Sequence, residues 1–286
     1  MKVTVVCEHN AAMDSEEGKK AYPEGMGVCI AEFLKKAGHE TTLVTLNDKG
    51  AEQLTDEIID STDVMFWWGH WYHLAVADEV ISKVADRALR GMGMVFLHSA
   101  HDSKMFKKLL GTSCSLKWRE DAEHERLWCV DPTHPIAHGL GEFIDIPHEE
   151  MYGEPFDIPT PDELVYVGWF KGGEVLRGGC VFKRGRGKLF YFNPGHETYP
   201  TYKLPAVQKL LLQACDYVAP AGPLLEKICC PHVEREGLKQ NKKKRTYGNM
   251  RPFFVAINGQ KIKTKRQRGI VGTGKRKKVG GLRKRE

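Results

Sequence analysis

The chain has no long uncharged apolar run, and this absence excludes a membrane-spanning helix. None of its 286 residues belongs to a stretch of the roughly 20 apolar residues that a helix needs to cross a bilayer. The opening MKVTVVCEHN reaches Glu8 and His9 after a short apolar run, which indicates a first strand and not a secretory signal. No P-loop or GxGxxG motif precedes a predicted helix, so nucleotide binding has no support in the sequence.

The eight cysteines contain no CxxC pair and are irregularly spaced. This pattern is typical neither of a zinc ribbon nor of a disulfide framework. Because no secretory signal accompanies them, we expect reduced thiols in a cytoplasmic protein that does not associate with membranes.

The net charge of +6 conceals two regions of opposite sign. Residues 239–286 hold 18 Lys and Arg against one acidic residue, a net charge of +17, whereas the preceding residues hold 25 basic and 36 acidic side chains, a net charge of −11. We therefore predict a folded domain at 1–220 and a basic, disordered tail at 221–286. The tail is expected either to bind nucleic acid non-specifically or to have no selected role.

Short apolar runs alternate with helical patterns along most of the domain. The predicted strands cover residues 2–7, 40–45, 63–68, 93–97 and 188–192. The predicted helices cover residues 26–37, 76–89 and 204–218, and a shorter one begins near Thr55. Such alternation predicts an α/β fold with a mostly parallel sheet, and the irregular segment 111–187 is expected to extend the sheet and cover its rim.

Histidines follow several of these strands, at the point where each strand ends. They are His9, His70, His73, His98, His101 and His196. Ligands of parallel α/β sheets bind at the carboxyl ends of the strands, so we expect His70, His98, His101 and His196 to meet in one pocket. Individually, each of these histidines could instead hydrogen-bond a loop carbonyl.

Imidazole is both a metal ligand and a proton carrier near neutral pH. We predict that His70, His98 and His196 bind a divalent metal, with zinc first and manganese, iron or nickel as alternatives. His196 and His101 are the predicted acid–base residues, and Glu197 is expected to orient His196 or to bind metal itself. Ser99 follows a strand as a catalytic serine would, but it lacks the GxSxG glycines, which favours a helix cap.

The middle of the chain combines aromatic rings with charged side chains. Aromatic rings stack on sugar faces, and carboxylates and guanidinium groups hydrogen-bond hydroxyls, so this composition suits a polyhydroxylated ligand; a solvated surface is the alternative. The predicted sugar-binding residues are Trp68, Trp118, Arg119, Glu150 and Tyr152.

Several long motifs occur in order along the chain. They are Trp67-Trp68-Gly69-His70-x-x-His73, the run from GMGMVFLHSAH to Arg126, EEMYGEPFDIP at 149–159, WFKGGEV at 169–175 and FYFNPGHETYPTY at 190–202. Together they resemble the trehalose utilization (ThuA-like) family over about residues 1–220. The resemblance implies a class I glutamine amidotransferase-like fold, which is a flavodoxin-like three-layer α/β sandwich, and an association with disaccharide use.

Relatives with this fold use a Cys–His–Glu triad, and the resemblance places His196 and Glu197 where they keep their His and Glu. Here the residues at the nucleophile position are His98-Ser99-Ala100, so amidotransferase activity is not implied. The first loop also departs from the family, because Cys7-Glu8-His9 stands where an aromatic-Asn-Glu run is common.

These observations support two main hypotheses of function. In the first, the chain is an enzyme that isomerises, eliminates from or hydrolyses an oxidised (keto) disaccharide, and it forms a homo-oligomer. In the second, it is a carbohydrate-binding or regulatory module without catalysis. A hydrolase that uses Ser99 is a third possibility.

Overall fold

The computed structural model describes residues 1–233. Its strands are β1 (Lys2–Glu8), β2 (Glu40–Leu46), β3 (Val64–Trp68), β4 (Gly93–Leu97), β5 (Lys117–Cys129), β6 (Phe143–Gly153), β7 (Glu163–Phe170), β8 (Val175–Arg184) and β9 (Gly187–Phe192). Its α-helices are α1 (Glu16–Ala21), α2 (Met26–Lys36), α3 (Asp56–Ser61), α4 (Asp78–Arg90), α5 (Lys104–Leu110) and α6 (Pro205–Val218). Short 3-10 helices cover His98–Asp102, Pro135–Ala137 and Thr201–Lys203.

All nine strands form one sheet in the order β2-β1-β3-β4-β9-β8-β7-β5-β6. The first five strands in this order are parallel, and the remaining four are antiparallel. Counted among the parallel strands alone, the order is 2-1-3-4-5, which is the flavodoxin-like order. The predicted flavodoxin-like fold is therefore confirmed, with its switch point between β1 and β3.

Helices cover both faces of the parallel strands because their apolar side chains point alternately to the two sides. One core packs Val5, Phe66 and Val95 against α2 and α6. The other packs residues such as Val6 and Phe96 against α3, α4 and α5. The result is a structure of three layers. Because the central strands are buried on both faces, their sequences are continuously apolar.

The strand register brings the carboxyl ends of four strands side by side. Cys7 pairs with Trp68, Trp68 with Leu97, and Leu97 with Phe192. The loops that follow these residues therefore begin at the same edge of the sheet.

The irregular segment forms β5 to β8, which extend the sheet as predicted, but its elements differ in detail. Within this segment the sequence predicts a short strand over 126–130, but β5 begins nine residues earlier, at Lys117, and β6 is not predicted. The first half of β5 is mostly charged and exposed, so it lacks the alternation of apolar residues that predicts a strand. It also has register shifts against β6.

No helix among residues 1–233 is long and apolar enough to cross a membrane. The predicted basic region 239–286 lies outside the described residues, so the expectations of disorder and nucleic-acid binding remain predictions. Residues 221–233 contain no helix or strand.

Candidate active site

Three imidazoles cluster at the carboxyl edge of the sheet. The ring centroids of His70 and His196 are 5.4 Å apart, those of His98 and His196 5.6 Å, and those of His70 and His98 5.8 Å. These residues follow β3, β4 and β9, which are consecutive in the sheet, and their proximity follows from the strand register.

The loop that carries His70 is held by a buried carboxylate from the end of β1. The two oxygens of Glu8 accept hydrogen bonds from the backbone amides of His70, Trp71 and Tyr72 at 2.8–3.0 Å. The side-chain amide of Asn10 donates to the same carboxylate at 3.1 Å. Glu8 therefore fixes the direction in which this loop leaves the sheet.

His98 is fully buried and has a hydrogen-bond partner for each ring nitrogen. Its Nδ1 donates to the backbone oxygen of Asn193 and its Nε2 to Glu150, both at 3.0 Å. The ring lies between Tyr152, at 4.8 Å between centroids, and Trp68, at 6.5 Å. Burial opposes the charge on His98, but the hydrogen bond and charge of Glu150 outweigh it and raise the pKa to about 9.

The loop that carries His196 is organised by a second buried carboxylate, that of Glu149 on β6. Its oxygens accept from the backbone amides of Gly195 at 2.8 Å, His196 at 2.9 Å and Glu150 at 3.1 Å, and from the Thr201 hydroxyl at 2.9 Å. Burial raises the pKa of Glu149 to about 7, against the charge of His98 and these hydrogen bonds. The antiparallel extension thus positions a loop of the parallel sheet.

The buried carboxylate of Glu197 is hydrogen-bonded to His70. The Nδ1 of His70 lies 2.9 and 3.0 Å from the two oxygens of Glu197, and Asn10 donates to one of them at 3.0 Å. Burial opposes ionisation of Glu197, but the hydrogen bond and charge of His70 outweigh it and lower the pKa to about 2. Asn10 therefore links the carboxylates of Glu8 and Glu197.

His196 faces the same carboxylate but is neutral at pH 7. Burial lowers its pKa to about 4, although the charge of Glu197 acts in the opposite direction. Its Nδ1 lies 2.8 Å from the Thr198 hydroxyl, and its Nε2 lies 3.6 Å from Glu197 and 3.9 Å from Glu120. Glu120 in turn accepts a hydrogen bond from the hydroxyl of Tyr199.

Two overlapping groups of side chains could hold a metal ion. In each group the ligand atoms lie within 4.8 Å of one another, and His196 belongs to both. The groups are His70, His196 and Glu197, and Glu120, Glu150 and His196. His98 lies beside them, but both of its nitrogens are already bonded to protein atoms.

A cavity of about 340 Å³ adjoins the cluster. Its volume is within the range of small-molecule sites. It is lined by His70, His73, Ser99, His101, Asp102, Ser115, Leu116, Trp118, Glu150 and Tyr152. His101 therefore shares a cavity with His70, while His196 contacts both His70 and His98 behind that wall.

The predicted sugar-binding residues fall into two groups. Trp118, Glu150 and Tyr152 line the cavity, and Trp118 is two-thirds exposed. Trp68 is fully buried and donates from its indole to the backbone of Gly195, so here it supports the cluster and offers no ring face. Arg119 does not line the cavity, because its guanidinium pairs with Glu123 and Glu174 elsewhere on the extension.

The sequence analysis does not identify four residues of the site, which are Glu8, Asn10, Glu120 and Glu149. The sequence does contain a signal for Glu8, because this carboxylate ends a buried apolar strand. Carboxylates are rarely buried without partners, so its position indicates a structural or functional contact. Glu149 stands in the run Glu149-Glu150, which also suits a solvated surface, and only the fold brings it beneath the His196 loop.

The chain matches the model of the ThuA family, described as trehalose utilisation, over residues 2–218. No curated protein matches it in sequence.

Solved structures show the same fold at low identity. A ThuA-like protein from Parabacteroides merdae is 14% identical with a TM-score of 0.60, and the match covers 80% of this chain and 92% of that one. A ThuA-like protein from Bacteroides uniformis is 16% identical with a TM-score of 0.54, covering 76% and 91%. A cytoplasmic protein from Salmonella typhimurium is 14% identical with a TM-score of 0.52, covering 77% and 100%. Because the family model matches nearly the whole folded region, this chain belongs to the ThuA family of trehalose utilisation.

Proposed function

We propose that this chain is an enzyme that transfers protons on an oxidised (keto) disaccharide, leading to isomerisation, elimination or hydrolysis. The observation that carries the proposal is a cluster of imidazoles in opposite protonation states, which adjoins the cavity through His70 and His101. His98 has a pKa of about 9, whereas His196 and His101 have pKa values of about 4. Membership of a trehalose utilisation family supports a sugar as the substrate.

A carbonyl makes the hydrogen on the neighbouring carbon acidic, and removing it requires a base and a stabiliser for the developing negative charge. His196 is neutral and is the base in our proposal. This role requires the tautomer whose Nδ1–H donates to the Thr198 hydroxyl, so that the lone pair of Nε2 takes the proton and Glu197 beside it stabilises the imidazolium that forms. The buried His98–Glu150 pair holds a positive imidazolium within 5.6 Å of the His196 ring. The pair carries no net charge, and its carboxylate, not its imidazolium, lines the cavity, so His98 fixes Glu150 there without itself exchanging a proton.

We further propose, as an alternative to the role of His196 as the base, that His70, His196 and Glu197 hold a divalent metal, for which zinc is the first expectation. A neutral imidazole and an ionised carboxylate are the ligand forms that such metals require, and both are present near pH 7 in His196 and Glu197. Glu197 takes the third position instead of the predicted His98, whose nitrogens are engaged. A bound metal would polarise a substrate carbonyl.

The test of catalysis is incubation of the full chain with keto-trehalose and, separately, with trehalose. Turnover of the ketosugar alone is expected, and His196→Ala should reduce it by about 100-fold or more, as loss of a general base does. His138→Ala is the matched control, since His138 is exposed on a surface loop and should leave turnover unchanged.

Metal content is tested by elemental analysis of protein purified without a histidine tag. We expect about one divalent ion per chain, and its loss in Glu197→Gln. Full turnover by metal-free protein would refute the metal but leave the His196 proposal intact.

Sugar binding without chemistry is the second candidate, and the exposed Trp118 ring at the cavity edge favours it. A stacking platform binds a sugar whether or not the imidazoles react with it. Tight binding of both the ketosugar and its parent without any product, with and without added metal, would establish this alternative.

A further inference from the structure

His73 is a cavity residue to which neither the sequence prediction nor the proposed chemistry gives a role. It lines the same cavity as His101, Asp102 and Trp118, and it is only 8% exposed. The hydrogen bonds of His73 and His101 determine whether each ring donates a hydrogen bond to a ligand or accepts one from it.

The tautomer of His101 is fixed by a backbone carbonyl. Its Nδ1 lies 2.8 Å from the oxygen of Cys114, which can only accept, so Nδ1 carries the proton. The remaining nitrogen, Nε2, is then an acceptor. His101 therefore presents a lone pair where it meets the cavity.

The tautomer of His73 is the opposite one. Its Nδ1 is buried, has no hydrogen-bond partner among residues 1–233, and lies beside Gly69, 3.4 Å from the position that a Cβ on that residue would occupy. A buried N–H without an acceptor costs about 1–3 kcal/mol, so the proton of neutral His73 belongs on Nε2. Because Nδ1 is enclosed, Nε2–H is the group of His73 that a ligand in the cavity can reach.

We propose that His73 and His101 form a hydroxyl-binding subsite for the ring of the sugar that does not react, His73 donating and His101 accepting. A hydroxyl group both donates and accepts, so a polyol fits a wall with one group of each kind. Asp102 adds a second acceptor, and Trp118 adds a ring face on which a pyranose can stack. The inference rests on the proposed function only for the identity of the ligand as a sugar.

In this subsite His101 is a binding residue, which differs from the acid–base role that the sequence predicts for it. His101→Asn separates the two roles, because the amide nitrogen of Asn can keep the bond to Cys114 while the Nε2 acceptor is lost. If His101 acts only in binding, His101→Asn should raise KM about tenfold and leave kcat almost unchanged. A loss of turnover rate by 100-fold or more at saturating substrate, with unchanged KM, would overturn the assignment.

The tautomers can be measured directly by nitrogen-15 NMR of the full chain without ligand. We expect the proton on Nε2 of His73 and on Nδ1 of His101. The reverse tautomer in either residue removes the donor–acceptor pair and overturns the proposal, independently of any enzymatic activity.

Binding is tested by calorimetric titration with trehalose and keto-trehalose. His73→Phe keeps a ring but removes the donor, so we expect about tenfold weaker binding, equivalent to about 1.4 kcal/mol. His73→Gln retains an N–H group and should bind within about threefold of wild type. Thermal unfolding of both variants shows whether each is folded.

Equal binding by His73→Phe and wild type would overturn the subsite while leaving the proposed catalysis intact. Weaker binding by His73→Phe in a protein that forms no product would support the subsite and refute the catalysis. Failure of the wild-type chain to bind either sugar would overturn the subsite.

Discussion

His98, His101 and His196 carry the same side chain but differ in protonation near neutral pH because their partners differ. His98 faces the carboxylate of Glu150, whose charge outweighs the cost of burial, whereas burial dominates for His101 and His196. Sequence alone predicts that titratable rings meet at this edge but not which of them is charged, because Glu150 comes from a strand 52 residues away.

We predict that His98 stays protonated throughout the neutral range and that Glu150→Gln abolishes this. The pKa of about 9 depends on the glutamate charge, so its removal should lower the pKa below the ordinary value of 6.5. NMR titration of the ring measures both values. Titration of wild-type His98 at or below pH 6.5 would contradict the assignment.

The same shift has a consequence for stability. Because the folded pKa lies above the unfolded value of 6.5, the stabilisation by this pair is complete below pH 6.5 and is lost as the pH rises through about 9. Urea unfolding at a series of pH values should show this loss in wild type and not in Glu150→Gln.

We predict opposite outcomes for two fully buried glutamates, Glu149 and Glu125. All the groups that contact Glu149 are donors, so Glu149→Gln would direct its N–H₂ group at them and destabilise the fold by about 2 kcal/mol or more. Burial and the charge of Glu149 raise the pKa of Glu125 well above its ordinary range, which favours its protonated form. Glu125→Gln, being neutral and of the same shape, should change stability by less than about 1 kcal/mol.

Chemical denaturation of both variants at pH 7.5 measures this difference. If Glu125→Gln costs as much as Glu149→Gln, the two carboxyl groups do not differ in ionisation as we infer.

At the scale of elements, the sequence predicts the parallel half of the fold more completely than the antiparallel half. Strands β1, β3, β4 and β9 are short, continuously apolar and followed by polar loops, so their bounds and their common edge are readable. Adjacent residues of β5 point to opposite faces, which explains why Trp118 lines the cavity and Arg119 does not. That choice depends on the register between β5 and β6, which is irregular and has no clear signature in the sequence.

The loop after β9 depends on a glycine that no other residue can replace without rearrangement. Gly195 has φ +134°, and a Cβ there would overlap the hydroxyl of Tyr202. We predict that Gly195→Ala displaces His196, destabilises the protein by about 3 kcal/mol and removes turnover. Gly111→Ala is the control, since Gly111 has φ +76° with open space around it and should cost only about 1 kcal/mol.

Thermal and urea unfolding of the two alanine variants compare these costs. Equal destabilisation would mean that backbone conformation alone, and not the contact with Tyr202, makes Gly195 necessary.

At the scale of the whole molecule, the compact unit that contains the site spans Met1–Pro231. Residues 221–231, which follow the predicted boundary at 220, belong to this unit and contact the rest of it. The backbone amide of Leu225 donates to the Arg90 carbonyl at 3.1 Å, the Arg90 side chain donates back to the Leu225 carbonyl at 2.6 Å, and Leu224 packs against the core. A truncation intended to preserve the unit should therefore end after Pro231.

We predict that a chain truncated after Pro231 keeps the stability and the activity of the full chain but loses binding to nucleic acid. The site and both cores lie within the retained residues, whereas the 18 basic residues of 239–286 are removed. Binding of the full chain to a mixed-sequence RNA should weaken steeply with salt, because each phosphate contact releases a counterion. Fluorescence anisotropy at low and at roughly physiological salt measures this, and equal binding by both chains would show that the basic region has no such role.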